Sequence, residues 1–446
     1  MDKILEINKS ISSIVWGWPM MILLLGVGFI MMVRTRFIIF RRLPYILKNT
    51  FLTIFKDSDD GDGEVSPFEA VSTALAATIG TGNIVGVALA ISVGGPGAVF
   101  WIWISALFGM FTKYSEVVLS IVYRERDEKT GTYSGGPMYY LKNGARLPFL
   151  ALLFAVFGML ASFGIGNMTQ SNSLAVALKN SFNFNPTIVG LVVAFISGLV
   201  LIGGIKKIGA FTSRLVPFMA LFYFLASMVV IGMNYKIIPE TFASIFKYAF
   251  TPHAAMGGFA GSSLMLVMKQ GFSRGIFTNE AGLGSAPIVH GVAKTKDPVK
   301  QGMWGVFEVF MDTLVICTMT SLVVLTTGKW NSGLKGAEIT VAAFNSTIPL
   351  GGYIVTIGLS LFAFSTIIGW YYYGERCFVY LFGENKKLIY TIIYIPLVYV
   401  GAVGGLEPIW NISDTLNGLM AIPNLIGLIV CSGVVYRKTR DHFNIR

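Results

Sequence analysis

A run of small and polar residues interrupts a long apolar stretch near the start of the chain. It reads Ala76-Ala77-Thr78-Ile79-Gly80-Thr81-Gly82-Asn83 and lies within an apolar run from about residue 68 to residue 93. Glycine weakens a helix by about 1 kcal/mol relative to alanine, and a backbone group freed in hydrocarbon is costly unless a partner satisfies it. Such a break is typical of the discontinuous helices that bind ligands in secondary transporters. The alternative is a small-residue face for close helix packing.

A second polar run occurs five apolar spans later. Lys269-Gln270-Gly271-Phe272-Ser273-Arg274-Gly275-Ile276 contains two glycines and two cations. A cation at the centre of a lipid-facing helix costs at least about 2.5 kcal/mol on insertion scales. The pattern therefore predicts an unwound segment that faces protein or water, and two interrupted spans at matching positions predict an inverted-repeat transporter. The alternative is a misplaced span boundary, with Arg274 at a membrane interface.

The two breaks together predict a site for an anionic group and a small cation. Half-helix N-termini present free N–H groups to a carboxylate, and freed carbonyls suit a hard cation such as Na⁺. Ser365 and Thr366 add hydroxyls that complete a sodium site with the carbonyls of Ala76 and Ile79. Trp370 follows Thr366 at helical spacing and walls a small pocket. The alternative is that both hydroxyls bond to their own helix and that Trp370 is a packing residue.

Other polar residues lie inside apolar spans. Gln170 carries an uncharged amide that can donate to a carboxylate, or can join two helices. Glu116, Glu308 and Asp312 are either proton carriers or structural partners of nearby bases, and we favour the structural pairing. The candidate bases are Lys113, Lys269 and Arg274.

The composition identifies a polytopic membrane protein. Of 446 residues, 54% are hydrophobic and 13% are charged, whereas a soluble domain carries about 25% charged residues. Basic cytoplasmic loops account for the net charge of +11, so nucleic acid is not an expected partner. The three cysteines have no disulfide or metal spacing. We see no protease, nucleophile-elbow or phosphate-loop motif and therefore expect no enzyme.

The apolar runs predict an all-α protein with eleven transmembrane helices, each near the length of about 20 residues that a bilayer requires. Their limits are about 14–33, 66–93, 97–123, 147–178, 185–203, 210–233, 255–286, 299–327, 350–381, 386–405 and 410–435. We expect an extra N-terminal helix and surface segment (1–65), a first five-helix repeat (66–235) and a second, inverted one (255–435). The loop charges place the N-terminus outside and the C-terminus in the cytoplasm.

The run at residues 94–109, GGPGAVFWIWISALFG, closely resembles the signature of the sodium:alanine symporter family. Ile102 stands where methionine is usual, which is a mild departure. Residues 135–140 and 279–286 also look like that family. The resemblance implies the leucine-transporter fold, with a five-plus-five inverted repeat, and the transport of alanine or glycine with Na⁺ and sometimes H⁺.

The resemblance also implies a substrate site. It places the amino-acid carboxylate near the N–H groups of Thr81 and Gly82, and the amine near the Thr78 carbonyl and around Phe272 and Ser273. The fold's carboxylate-binding tyrosine has no clear counterpart, and Gln170 is our substitute. The full expected substrate-binding set is Thr78, Thr81, Gly82, Asn83, Gln170, Phe272, Ser273, Ile276, Thr366 and Trp370. The expected Na⁺ ligands are Ala76, Ile79, Ser365 and Thr366.

These observations predict a monomeric secondary transporter of the cell membrane, in contact with lipid, that imports small neutral amino acids by alternating access coupled to Na⁺. Large residues around the pocket, namely Phe272, Ile276 and Trp370, favour alanine or glycine over leucine. The alternative is a proton-coupled symporter of another small carboxylate, which uses Glu308 or Asp312.

Overall fold

The computed structural model describes residues 2–54, 61–251, 264–404 and 407–444. The first part of the predicted span 255–286 lies outside these residues. Within them the chain forms twenty α-helices and one short hairpin, whose antiparallel strands are β1 (Glu125–Arg126) and β2 (Tyr133–Ser134). In chain order the helices are α1 (Asp2–Val15), α2 (Trp18–Arg34), α3 (Ile38–Phe51), α4 (Pro67–Thr78), α5 (Val87–Gly94), α6 (Gly97–Val122), α7 (Pro137–Tyr139), α8 (Pro148–Phe163), α9 (Thr169–Phe182), α10 (Pro186–Leu201), α11 (Gly204–Met233), α12 (Ile238–Phe250), α13 (Leu264–Asn279), α14 (Pro287–His290), α15 (Pro298–Val309), α16 (Thr318–Thr326), α17 (Ala337–Asn345), α18 (Gly351–Phe382), α19 (Lys387–Val403) and α20 (Glu407–Phe443).

Many of these helices have the length and composition of membrane spans. Among the described residues, eight helices are long and apolar enough to cross a membrane, or nine if the bent pair α4 and α5 counts as one span. π-helical turns join α8 to α9 and α15 to α16 into single long helices. α10 and α13, with 16 residues each, are shorter than the spans counted here. The chain is therefore a multi-span membrane protein, and the number eleven stays a prediction.

The first interrupted helix is present where the glycines predict it. α4 begins at a capping box, in which Ser66 Oγ accepts from the Glu69 N–H at 3.1 Å and Glu69 Oε2 accepts from the Ser66 N–H at 2.8 Å. It ends at Thr78, because Ile79 turns to a non-helical ψ of 89°. The chain resumes in a π-helical turn at Gly82–Gly86 and continues as α5, at 51° to α4. This break is confirmed.

The second interruption lies beyond the segment that the sequence indicated. α13 is a continuous helix from Leu264 to Asn279, so the predicted unwinding at 269–276 is wrong. Gly271 and Gly275 instead allow α6 to approach closely: a Cβ would lie 2.4 Å from Trp101 Cβ at the first position and 2.0 Å from Ser105 Oγ at the second. These glycines therefore serve helix packing, as small residues at four-residue spacing do in membranes.

The chain leaves the helix after α13. Glu280, Gly282 and Gly284 have φ values of +53°, +91° and +85°, and helix resumes only at α14. Positive φ is incompatible with a right-handed helix and is uncommon for a residue with a Cβ. The second break is therefore the segment 280–286, which the sequence analysis noticed only as a family motif.

Buried polar groups join the surrounding helices to one another and to the second break. Lys113 Nζ of α6 lies 3.1 Å from Glu308 Oε1 of α15, and both side chains are fully buried. Glu116 Oε1 accepts from the Gly282 N–H at 3.1 Å and from Asn424 Nδ2 at 2.6 Å. The structural pairing that we favoured is thus confirmed for Glu308 with Lys113, whereas Glu116 instead binds an amide and the backbone of the second break.

Candidate functional site

A small polar cavity lies between the two interruptions. Its volume of about 20 Å³ is that of roughly one water molecule, so any larger ligand requires the walls to separate. Five parts of the chain line it: the first break, the α8–α9 helix, the C-terminal end of α13 with the second break, α18 and α20. The lining residues are Ala77, Thr78, Gly80, Thr81, Gly82, Ile165, Gln170, Phe277, Thr278, Glu280, Thr366, Trp370 and Asn417.

A larger open cavity, of about 540 Å³, lies elsewhere, beside the N-terminus of α4 and the hairpin loop. Charged residues of loops and helix ends line it, among them Glu64, Glu69, Lys206 and Lys294. Since neither interruption contributes to it, the smaller cavity is the candidate binding site.

The first break brings backbone N–H groups to the cavity. The Gly80 N–H is occupied, because it donates to Asn83 Oδ1 at 2.9 Å. Thr81 and Gly82 follow at the start of the π-helical turn, where the first N–H groups of a helix lack intrahelical acceptors. Such a helix start suits a carboxylate. Thr81 Oγ1 also donates to Gln170 Oε1 at 3.2 Å, so these two polar side chains meet across the cavity.

Two hydroxyls of α18 meet the C-terminal end of α4. Ser365 Oγ donates to the Ala76 carbonyl at 3.1 Å and also to the Phe362 carbonyl of its own helix at 2.9 Å. Thr366 Oγ1 donates to the Phe362 carbonyl at 2.9 Å and lies 2.8 Å from the point where a Cβ of Gly80 would stand. Carbonyl and hydroxyl oxygens therefore converge where α4 ends, and these are ligands that a hard cation takes.

Trp370 forms one wall of the cavity. It packs directly on the backbone of Gly166, where a Cβ would lie 2.4 Å from Trp370 Cβ. Its Nε1 donates to Glu280 Oε1 at 3.0 Å. Gly166 lies in the π-helical turn Gly164–Met168 that joins α8 to α9. Because Gly166 has no Cβ, Trp370 can pack directly against its backbone. The hydrogen bond to Glu280 then fixes the orientation of the indole.

The structure brings together six of the ten expected substrate-binding residues, namely Thr78, Thr81, Gly82, Gln170, Thr366 and Trp370. Four others do not line the cavity. Asn83 is fully buried and joins the first break to Asp312, whose Oδ1 accepts from Asn83 Nδ2 at 2.6 Å. Phe272 packs on Trp101 with ring centroids 5.1 Å apart, and Ser273 and Ile276 occupy the same part of α13.

Five lining residues outside the first break were missed by the sequence analysis. Phe277 and Thr278 lie at the end of α13, Glu280 follows α13, Asn417 lies on α20, and Ile165 lies in the turn that joins α8 to α9. The signal that locates the first three is Gly282-Leu283-Gly284, which repeats the spacing of Gly80-Thr81-Gly82. Asn417 is an amide within an apolar helix, and that pattern alone is also typical of helix–helix contacts.

Two non-helical segments around a polar cavity in a multi-span helical protein are the arrangement that secondary transporters use to bind their substrates. A model of the sodium:alanine symporter family matches residues 1–446. The chain belongs to this family, so it is a transporter and not an enzyme.

Related proteins agree with this assignment. The chain is 47% identical over 457 residues to the sodium/alanine symporter AgcS of Methanococcus maripaludis, covering 100% of this chain and 98% of that protein. It is 36% identical to the probable sodium/glutamine symporter GlnT of Bacillus subtilis, covering 99% of this chain and 91% of that protein. The crystal structure of MhsT in complex with L-phenylalanine matches with a TM-score of 0.59 at 12% identity, over 86% of this chain and 99% of that one. This last likeness shows a shared fold.

Proposed function

We propose that the protein imports small neutral amino acids, alanine and glycine, together with Na⁺ by alternating access. The observation that carries this proposal is the polar cavity between two interrupted segments, with helix N–H groups on one side and converging oxygen ligands beside it. A zwitterion and a cation are the ligands that such an arrangement suits. The relatives named for sodium with alanine or glutamine support the substrate class.

The substrate carboxylate binds at the first break in this proposal. The N–H groups of Thr81 and Gly82 receive it, and Gln170 turns its amide from the present contacts toward it. Gln170 Nε2 now donates to the Ile165 carbonyl at 3.1 Å, and its Oε1 accepts from Thr81. Both of these hydrogen bonds of Gln170 join neutral groups. A hydrogen bond from its Nε2 to a charged carboxylate would be stronger. The Thr78 carbonyl lies beside the amine end of the substrate.

Na⁺ binds at the end of α4. The carbonyls of Ala76 and Ile79 and the hydroxyls of Ser365 and Thr366 supply the ligands, of which Ser365 and Ala76 are already 3.1 Å apart. Because α4 ends at the substrate site, an ion bound at its end stabilises the same backbone that receives the carboxylate. This shared element couples the two binding events.

Size selects the substrate. Trp370 and Phe277 wall the cavity, and Trp370 is held between Gly166 and Glu280. A side chain longer than that of alanine requires the indole to move. The proposal therefore ranks alanine and glycine above glutamine, although a relative is named for glutamine.

The proposal includes the expected architecture. It comprises an N-terminal segment (1–65), two inverted repeats (66–235 and 255–435), an external N-terminus and a cytoplasmic C-terminus in the cell membrane. The lipid-facing protein acts as a monomer.

A proton-coupled symporter is the second candidate. The supporting observation is that Asp312 contacts the first break through Asn83, which in turn holds the Gly80 N–H. Protonation of such a carboxylate changes the hydrogen bonds at the break.

Thermal stability of the purified protein tests the two candidates. A ligand present at 100 times its Kd stabilises the folded state by about 2.7 kcal/mol. We expect alanine and glycine to raise the melting temperature in NaCl but not in KCl, and glutamine to raise it less. Equal stabilisation in the two salts, with a dependence on pH, would support the proton-coupled candidate instead.

A further inference from the structure

A buried acid faces the cavity from the second break. Glu280 immediately follows α13, and only 6% of it is exposed. Its Oε1 accepts from Trp370 Nε1 at 3.0 Å, and its Oε2 accepts from the Ser285 hydroxyl. Its φ of +53° is uncommon for a residue with a Cβ, and such conformations cluster at ligand sites. The backbone at this position thus directs a carboxylate to the cavity wall.

This carboxylate has no basic partner among the described residues. Both groups that donate to it, the Trp370 indole and the Ser285 hydroxyl, are neutral. Lys113 acts on it electrostatically but is already paired with Glu308 at 3.1 Å. A buried charge without a counter-charge is strongly unfavourable. A bound cationic group would supply the counter-charge that such a buried carboxylate requires.

We propose that the Glu280 carboxylate binds the α-ammonium group of the transported amino acid. The assignment rests on the proposed function, because that function supplies a zwitterion. The first break receives the substrate carboxylate at Thr81 and Gly82, and the second break receives the ammonium group at Glu280. Of the residues expected near the amine from the family resemblance, Thr78 lines the cavity, whereas Phe272 and Ser273 do not.

This assignment makes the free amino group the main determinant of recognition. A charge-assisted hydrogen bond from an ammonium group to a carboxylate is stronger than one from a neutral donor. An α-hydroxy acid of the same size, such as L-lactate, keeps the carboxylate and the methyl group but lacks the cation. A site built around a charged partner rejects such an analogue because its own polar group is left unpaired.

The test measures the affinities of L-alanine and L-lactate for the full-length protein at saturating Na⁺. Glu280→Gln keeps an acceptor for the Trp370 N–H and offers Ser285 an amide N–H in place of a carboxylate oxygen, but it removes the charge. We expect it to weaken alanine binding by about 100-fold, as for the loss of a bond to a charged group, and to leave lactate binding almost unchanged. Glu280→Asp keeps the charge and should retain a preference for alanine at reduced affinity.

Two further variants separate this role from others. Glu375→Gln neutralises a buried carboxylate that pairs with Arg376 and does not line the cavity, and should retain the preference for alanine over lactate. Trp370→Phe removes the indole donor; loss of the preference in this variant, equal to that in Glu280→Gln, would show that Glu280 only positions Trp370 and would overturn the assignment.

The remaining outcomes also decide the assignment. Alanine affinity within about threefold of wild type in Glu280→Gln, a difference below about 0.7 kcal/mol, would overturn the assignment and leave the proposed function intact. A higher Na⁺ requirement with an unchanged alanine-to-lactate ratio would assign Glu280 to the ion instead. A wild-type protein that binds no small amino acid would overturn the proposed function itself, and this assignment with it.

Discussion

Gly80 of the first break lies directly against Thr366 of the proposed Na⁺ site. A Cβ added there would lie 2.8 Å from Thr366 Oγ1, 3.8 Å from Thr366 Cβ and 3.9 Å from Gln170 Oε1. The Gly80 backbone does not have a positive φ, so alanine can adopt it without strain. The effect of Gly80→Ala therefore falls on the Thr366 hydroxyl, which must rotate away and lose its 2.9 Å bond to the Phe362 carbonyl.

The size of the effect follows from that displacement. Removing one oxygen from a charged partner costs about 1.5–3 kcal/mol, and every 1.4 kcal/mol is tenfold in affinity. Gly80→Ala should therefore raise the Na⁺ concentration for half-maximal alanine uptake by roughly 10- to 140-fold. Overpacking of this kind costs a similar amount, about 1–3 kcal/mol.

The assay is alanine uptake into proteoliposomes as a function of external Na⁺. Gly232→Ala is the matched control, because nothing lies within 4 Å of a Cβ at that position on α11, and it should leave the Na⁺ requirement unchanged. In a Thr366→Ala background the Cβ added at position 80 no longer meets a hydroxyl. Gly80→Ala should therefore raise the Na⁺ requirement little further in that background, and a double-mutant cycle measures this non-additivity. Additive effects of the two substitutions, or a Gly80→Ala protein with a normal Na⁺ requirement, would refute the reasoning.

Two further substitutions probe the cavity wall and the buried ion pair. Trp370→Ala removes the largest lining side chain, so leucine should compete with alanine at least about tenfold more strongly; unchanged competition in uptake assays would count against Trp370 as the wall. Lys113→Met removes the lysine from buried Glu308, which keeps only its contact with His290 Nε2 at 3.1 Å, and should lower stability by about 3–5 kcal/mol, measured as a lower melting temperature. Its control is Lys142→Met, which breaks an exposed pair with Glu125 and should have almost no effect; equal losses would argue against the buried pair.

The first break was predictable because its cause is local. Gly80 and Gly82 within an apolar run weaken the helix wherever they occur, and the structure ends α4 two residues before Gly80. The turn that we propose as the carboxylate site follows from that position. Ser365 and Ala76, which lie 289 positions apart in the sequence, do meet in the structure.

The second break was misplaced because glycine has two roles in membrane helices. Gly271 and Gly275 looked like a break, but they allow α6 to pack against α13, a contact that depends on tertiary structure. Gly282 and Gly284, with positive φ, mark the real break. Glu280 was missed as a site residue for the same reason, since its role depends on where the helix ends.

The central claim is that Na⁺ drives the transport of a small amino acid through the cavity between the two breaks. The most direct measurement is uptake of alanine into proteoliposomes under an inward Na⁺ gradient, compared with the same gradient of K⁺ or choline. We expect alanine to accumulate only with Na⁺. Equal uptake with all three cations would contradict the account.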